Sequence, residues 1–346
     1  MTEMKQVRIK AKEEMESCCV PRPVPGNGQV LIRVAWMGIC GSDLHYFFDG
    51  QIGAFKLREP LVPGHEIVGI VAEDPSRTYA PGTPVTPHPA TFGKPQAAYI
   101  DSPHLWPGGA YLGSASTWPH TQGGMSEYIL LRLDQIHALP PELPLKRGVL
   151  TEPLCIGLHA LRRLQAATGW QDLAGKDVAV IGAGSIGLLA AGAAKTLGAK
   201  VSCIDIQDAP LQRAQALGVD QVYNSNKTEI ESADFDAVLE CAGVFPAISE
   251  ALQICRPRGT VVQVGMIPAI DGPANLAPLI SKEITYLGSF RFLDEIDQAM
   301  EMLANAPQLE SVITHEFNAD EAEKAFHIAK DSSASGKVIV NLWFEE

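Results

Sequence analysis

The chain has 346 residues, 46% of them apolar, a mean hydropathy of +0.04 and a formal net charge of −13. That length exceeds one ordinary core and predicts two domains. The acidic balance argues against nucleic acid or an anionic membrane as partner, because phosphate binding requires clustered Lys and Arg.

No uninterrupted apolar run of about 18 residues suggests a membrane span. Met1–Val20 carries Lys5, Arg8 and Lys10 among acids and has no apolar run, so it is not a signal peptide. A cytoplasmic protein is expected. Seven cysteines at irregular spacings make no disulfide framework. In a reducing compartment each is a small buried residue, a metal ligand or a nucleophile.

Residues 1–35 read as two or three short strands broken by a turn over Pro21–Gly28, with Gln29–Ala35 alternating as a half-buried strand does. Met37–Phe47, MGICGSDLHYF, then packs Cys40, Ser42, Asp43 and His45 within six residues. After a loop with Gly50, Gly53 and Pro60, PGHEIVGIVA puts His65 and Glu66 at the start of a strand running to about Ala72. Thiolate, imidazole and carboxylate are the ligand types of a catalytic zinc that keeps one position open. Each also has a bland explanation: a lone Cys is usually core, and a His beside a Glu is usually a solvated loop or a cap. Ser42 could simply cap a helix begun at Asp43.

Pro84–Gln122 is rich in Pro, Gly and aromatic residues, and its length marks a loop used in function or association. His88, His104 and His120 within it match no ligand spacing and are expected at the surface. Gln122–His137 reads as strands. In TEPLCIGLHALRRL the period changes: Pro153 suits a first helical turn, and Leu154, Leu158 and Leu161 recur on one face. This helix should cross between domains, with Glu152 facing the cleft and His159 packed at the junction.

Asp177–Ile181 is an apolar run that reads as a buried parallel strand, and the chain then turns through Gly182, Gly184 and Gly187. Gly182 permits the tight turn, Gly184 lets the backbone approach a pyrophosphate, and Gly187 lets the next helix, Leu188–Leu197, pack close. The strand Lys200–Ile204 ends at Asp205, where an acid accepts hydrogen bonds from an adenosine ribose. A bare GxGxxG is weak evidence; strand, helix and terminal acid together make a dinucleotide site from Gly182, Gly184, Ser185, Ile186, Gly187 and Asp205. Asp205 repels a 2′-phosphate, and Ile206, Gln207 and Asp208 supply no cation, so NAD is expected over NADP. Arg213, the nearest base, reads as a helix-face residue.

Phe235–Cys241, Gly259–Met266 and Ile284–Phe290 are further strands, and Ala209–Leu217 and Pro246–Ile254 helices, of a doubly wound parallel sheet. Gln298–Leu303 and Asp320–Ala329 read as helices, and GKVIVNLWF, residues 336–344, as a last strand. Arg291 follows the last nucleotide-domain strand, at the end where ligands sit in such sheets. It is either the local cation that an anionic small substrate would need or a salt-bridged surface residue.

CGSDLHYF, PGHE, TEPLCIGLHA and the GAGSIG turn together resemble the zinc-containing medium-chain dehydrogenase/reductases across nearly the whole chain. PHTQGGMSEY and LGSFRF are similar to the polyol-dehydrogenase branch, particularly its L-idonate 5-dehydrogenases. The resemblance implies an α/β protein in which a doubly wound (Rossmann) nucleotide domain, 152–291, is inserted in a mostly β GroES-like catalytic domain, 1–151 and 292–346. It implies a catalytic zinc at Cys40, His65 and Glu66, with Glu152 binding the metal or holding its water. Ser42 takes the substrate proton, His45 carries it onward, Asp43 orients the metal-bound imidazole, and Tyr46 and Arg291 reach the substrate.

Many members carry four closely spaced cysteines for a structural zinc; this chain has none between Cys40 and Cys155, so a single catalytic zinc is expected. A homodimer or homotetramer is implied by the family alone. The expected reaction is NAD-linked oxidation of a polyhydroxy acid, L-idonate to 5-keto-D-gluconate. Sorbitol, xylitol or threonine dehydrogenase is the alternative within the class. A non-catalytic nucleotide sensor on the same fold is the rival outside it, and intact Cys40, His65, Glu66 and Ser42 speak against that.

Overall fold

The computed structural model describes residues 2–228, 230 and 234–343. Glu3–Ala11 (β1) and Glu14–Pro21 (β2) pair antiparallel as a hairpin. Gln29–Gly38 (β3) is buried along most of its length because it is central in a seven-stranded sheet. The helix Gly41–Asp49 (α1) follows at once and turns Asp43, Tyr46, Phe47 and Phe48 inward. Glu66–Glu73 (β4) pairs antiparallel along one edge of β3, and Pro84–Pro87 (β5) pairs with β4. Tyr128–Arg132 (β6) takes the first half of the other edge of β3, and Ile136–Ala138 (β7) pairs with β5.

The interval between β5 and β6 holds little regular structure beyond two short paired strands, Ala90–Thr91 and Ala110–Tyr111. Two of its histidines are buried instead of lying at the surface as expected. His88 accepts from the Ala90 N–H at Nδ1 and reaches the Leu293 carbonyl through Nε2; His120 accepts from the Arg58 N–H and reaches the Thr117 carbonyl. An irregular segment leaves backbone groups without ladder partners, and these rings supply them.

Thr151–Thr168 (α2) buries Leu154, Leu158 and Leu161, matching the helical period in the sequence. It packs on Ser185–Thr196 (α3) so closely that a Cβ on Gly157 would stand 2.9 Å from Ala190 Cα. Six parallel strands follow: Asp177–Ile181 (β8), Lys200–Asp205 (β9), Gln221–Asn224 (β10), Phe235–Glu240 (β11), Cys255–Gln263 (β12) and Thr285–Gly288 (β13). Their spatial order is β10-β9-β8-β11-β12-β13, and Asp208–Ala216 (α4) and Phe245–Ile254 (α5) are among the crossovers. The α3 helix begins three residues before the expected Leu188, because Gly184 already serves as its N-cap.

The helix Ile296–Asn305 (α6) packs against α2, sharing a core with Leu158 and Leu161 through Ile296 and Ala299. Ile313–Asn318 (β14), Ala322–Lys330 (α7) and Lys337–Asn341 (β15) complete the chain. β15 returns to the seven-stranded sheet and pairs with the second half of β3. Phe344, the last residue of the expected strand, lies outside the described residues. Among the described residues no helix is long and apolar enough to cross a membrane.

Candidate active site

Strand register brings the first three candidate ligands together. Gly38 of β3 lies opposite Glu66 of β4, so Cys40, just past the end of β3, comes beside His65. Gly38 has a packing reason: a Cβ there would collide with a Glu66 carboxylate oxygen. One donor atom each from Cys40, His65 and Glu66 lies within 4.8 Å of the others. His65 is 6% exposed and Glu66 fully buried. Burial pushes the His65 imidazole down, but the Cys40 sulfur, Glu152 and Asp43 overcome this and hold it up at about 10. A buried pocket with such an excess of negative charge fits a divalent cation, and its donors are those zinc takes.

Glu66 has a further partner that the sequence reading missed. Lys337, at the start of β15 and itself 2% exposed, donates to both Glu66 oxygens at 2.7 and 2.6 Å and to the Ile39 carbonyl at 3.1 Å. Burial disfavours the ammonium, but Glu66 and Cys40 more than offset it, so its pKa is raised. Carboxylate oxygens offer about four lone-pair sites between them, which leaves capacity for a metal. The signal in the sequence was a single Lys opening the otherwise apolar run GKVIV.

Asp43 is fully buried and accepts the Cys40 N–H at 3.0 Å and the Gly64 N–H at 3.1 Å. It therefore ties together the two turns that carry the ligands through their backbone, and its charge also acts on the His65 imidazole. Burial raises its pKa, and the charge of His65 opposes that. The α1 helix begins at Gly41 with Cys40 as N-cap, so Ser42 is not its cap. Ser42 is half-buried in the first turn; His45, one turn on, is exposed, with its Nδ1 2.8 Å from Asp49 Oδ2. Tyr46, expected at the substrate, is 1% exposed and packed in the core, with its hydroxyl accepting the Ala115 N–H at 3.0 Å.

Glu152 opens α2 and is 5% exposed, but it stands outside the group of three gathered donors. Its Oε1 accepts the Tyr111 hydroxyl at 2.6 Å, and burial raises its pKa. Tyr111, a second residue the sequence reading did not single out, also sets its ring edge-on to His65 at 5.3 Å. The Arg291 guanidinium lies over the Tyr111 ring at 4.1 Å and near the Phe290 ring at 5.0 Å. Among the described residues Arg291 has no ion-pair partner, which sets aside the salt-bridged alternative. No spacing rule could have flagged Tyr111, since its partners come from three distant segments.

The nucleotide turn follows its sequence pattern closely. Gly182 has φ 90°, and a Cβ there would stand 2.8 Å from the Ala242 N. A Cβ on Gly187 would collide with the Gly182 carbonyl, whereas nothing in the protein stands within 4 Å of one on Gly184, the exposed N-cap of α3. Ser185 and Ile186 form the first turn of that helix, where free N–H groups and the helix dipole favour an anion. Asp205 accepts the Ala183 N–H at 2.8 Å and the Gln207 N–H at 2.9 Å, so its carboxylate is held at the end of β9. Arg213 is not a free helix-face residue: it donates to the Ser332 carbonyl at 2.6 Å.

Parallel sheet, glycine turn and buried Cys–His–Glu group define a zinc-dependent, NAD(P)-linked dehydrogenase. Residues 26–141 match the alcohol dehydrogenase GroES-like domain, and residues 185–305 match the zinc-binding dehydrogenase family. The chain belongs to the zinc-binding medium-chain dehydrogenases. It is 32% identical to L-idonate 5-dehydrogenase (NAD(P)(+)) of Escherichia coli K12 over 320 residues, which cover 90% of this chain and 91% of that protein. It is 28% identical to sorbitol dehydrogenase of Bacillus subtilis, over 94% and 93% of the two chains. The crystal structure of the Escherichia coli L-idonate 5-dehydrogenase superposes with a TM-score of 0.88 at 28% identity, covering 98% of each chain.

Proposed function

We propose that the protein oxidises a polyhydroxylated acid with NAD, with L-idonate to 5-keto-D-gluconate as the first choice of reaction. One observation carries the acid: among the described residues Arg291 is a cation without an ion-pair partner, seated on the ring of Tyr111, whose hydroxyl meets Glu152 and whose edge meets His65. The five donors of a guanidinium in a planar fork suit a carboxylate. Similarity to L-idonate 5-dehydrogenase supports the same substrate class, and similarity to sorbitol dehydrogenase supports the polyol part of it.

In this reading Cys40, His65 and Glu66 hold the metal, and Gly182, Gly184, Ser185, Ile186, Gly187 and Asp205 hold the dinucleotide. Zinc held there would supply a Lewis acid toward the alcohol oxygen, and a nicotinamide held at the glycine turn would supply the hydride acceptor. Lys337 pairs with Glu66 in its buried position and orients both carboxylate oxygens, and Asp43 fixes the backbone on either side of the ligands. Ser42 takes the alcohol proton. His45, three residues on and so on the same helical face, passes it to solvent through the ring nitrogen that Asp49 leaves free. Asp205 disfavours a 2′-phosphate, which supports NAD over NADP; comparing kcat/KM for the two cofactors checks that preference.

The deciding experiment follows NAD reduction over a panel of aldonates and neutral polyols. The highest kcat/KM is expected with L-idonate, and sorbitol or xylitol outrunning every aldonate contradicts the assignment. Arg291→Ala should raise KM for the aldonate far more than for an uncharged polyol. Equal effects on both sink the carboxylate role.

A further inference from the structure

We propose that Tyr111 is a positioning residue that holds Glu152 away from the Cys40–His65–Glu66 group with its hydroxyl and seats Arg291 on its ring face. Tyr111 is 6% exposed, on the short strand Ala110–Tyr111 that closes against Ala90–Thr91. A buried carboxylate beside three metal ligands is a ready fourth ligand, and its binding would close the position a substrate oxygen needs. The 2.6 Å hydrogen bond from the Tyr111 hydroxyl occupies one Glu152 oxygen. Without it Glu152 loses its hydroxyl donor, and the metal is the substitute at hand.

The ring serves a separate purpose. A guanidinium over a ring face is attracted by the ring quadrupole, and its N–H donors stay available for a ligand. Arg291 has φ 52°, a left-handed backbone uncommon outside glycine, so its direction is set by the surroundings. Tyr111 and Phe290 are those surroundings. The hydroxyl thus governs the reacting end of the site and the ring governs the distal end. The ring's part rests on reading Arg291 as the carboxylate cation; the hydroxyl's part does not.

Two variants separate them. Tyr111→Phe keeps the ring. With Glu152 released to the metal, zinc should leave to a chelator about tenfold more slowly and kcat should fall about tenfold, the scale on which such outer partners act. The visible spectrum of the cobalt-substituted protein, which reports coordination, should change, while the ratio of aldonate KM to polyol KM stays as in the unmodified protein. Tyr111→Leu should raise that ratio as well, by about tenfold. An unchanged cobalt spectrum with unchanged or faster zinc release in Tyr111→Phe overturns the hydroxyl role. An unchanged ratio in Tyr111→Leu, where Arg291→Ala changes it, overturns the seating role and leaves the carboxylate reading standing. If Arg291→Ala leaves the ratio unchanged, the carboxylate reading and the seat fall together, and the cobalt spectrum of Tyr111→Phe alone decides the hydroxyl.

Discussion

In the nucleotide half, Gly182, Gly184, Gly187 and Asp205 fall within one strand–helix–strand unit and work through backbone geometry: a positive φ, an absent Cβ, an acid tied to two N–H groups. At the candidate active site, Cys40, His65, Tyr111, Glu152, Arg291 and Lys337 come from separate segments and meet through side-chain charge and hydrogen bonds. The first region is sensitive to added atoms and the second to unpaired charge. The two regions should therefore fail in different ways when altered.

The largest effect should come from the charged side. Lys337→Met leaves Glu66 buried without its cation, and breaking a buried pair from one side costs about 3–5 kcal/mol. Denaturant unfolding of the metal-free protein should show that loss, with a smaller one once zinc is added, because the metal then faces Glu66. Equal stability of the metal-free variant and its parent would break the contrast. Gly187→Ala tests the other region. One methyl group pushed against the Gly182 carbonyl should cost about 1–3 kcal/mol and weaken dinucleotide binding, while zinc content stays unchanged. Loss of zinc in that variant would show that the two regions are not independent.

A smaller effect belongs to the segment that joins them. Glu295 is buried, and although burial alone would raise its pKa, His159, the Leu293 N–H and Arg162 hold it down at about 2. Its folded value lies below the ordinary 4.5, so its contribution to stability is present above pH 4.5 and is lost as pH falls toward about 2. Glu295→Gln should make the decline in thermal stability over that range shallower than in the parent. An identical decline in both proteins would remove Glu295 from the joint.

The same contrast explains what was legible in the sequence. The glycine turn, the strands Asp177–Ile181 and Lys200–Asp205 on either side of it and the α2 face at Leu154, Leu158 and Leu161 were readable because each is a local pattern. Cys40, His65 and Glu66 were readable as donor types, and antiparallel register between adjacent strands made them neighbours. Lys337 was not, since it meets Glu66 from 271 positions away, and Tyr111 has no motif of its own. Tyr46 misled because it sits in a chemically rich motif. Helical period puts it with Asp43 and Phe47 on the buried face of α1, opposite His45. His88 and His120 misled because an irregular interval rich in Pro and Gly looks solvated, whereas the Ala90 and Arg58 N–H groups needed their rings.

Metal analysis of the washed, active protein bears most directly on the Cys40–His65–Glu66 centre, with the Cys40→Ser variant measured beside it. About one zinc per chain is expected in the parent, since no cysteine cluster exists for a second, and little or none in the variant, with activity lost in step. Full NAD-linked activity in a preparation free of zinc or any substitute metal would contradict the assignment.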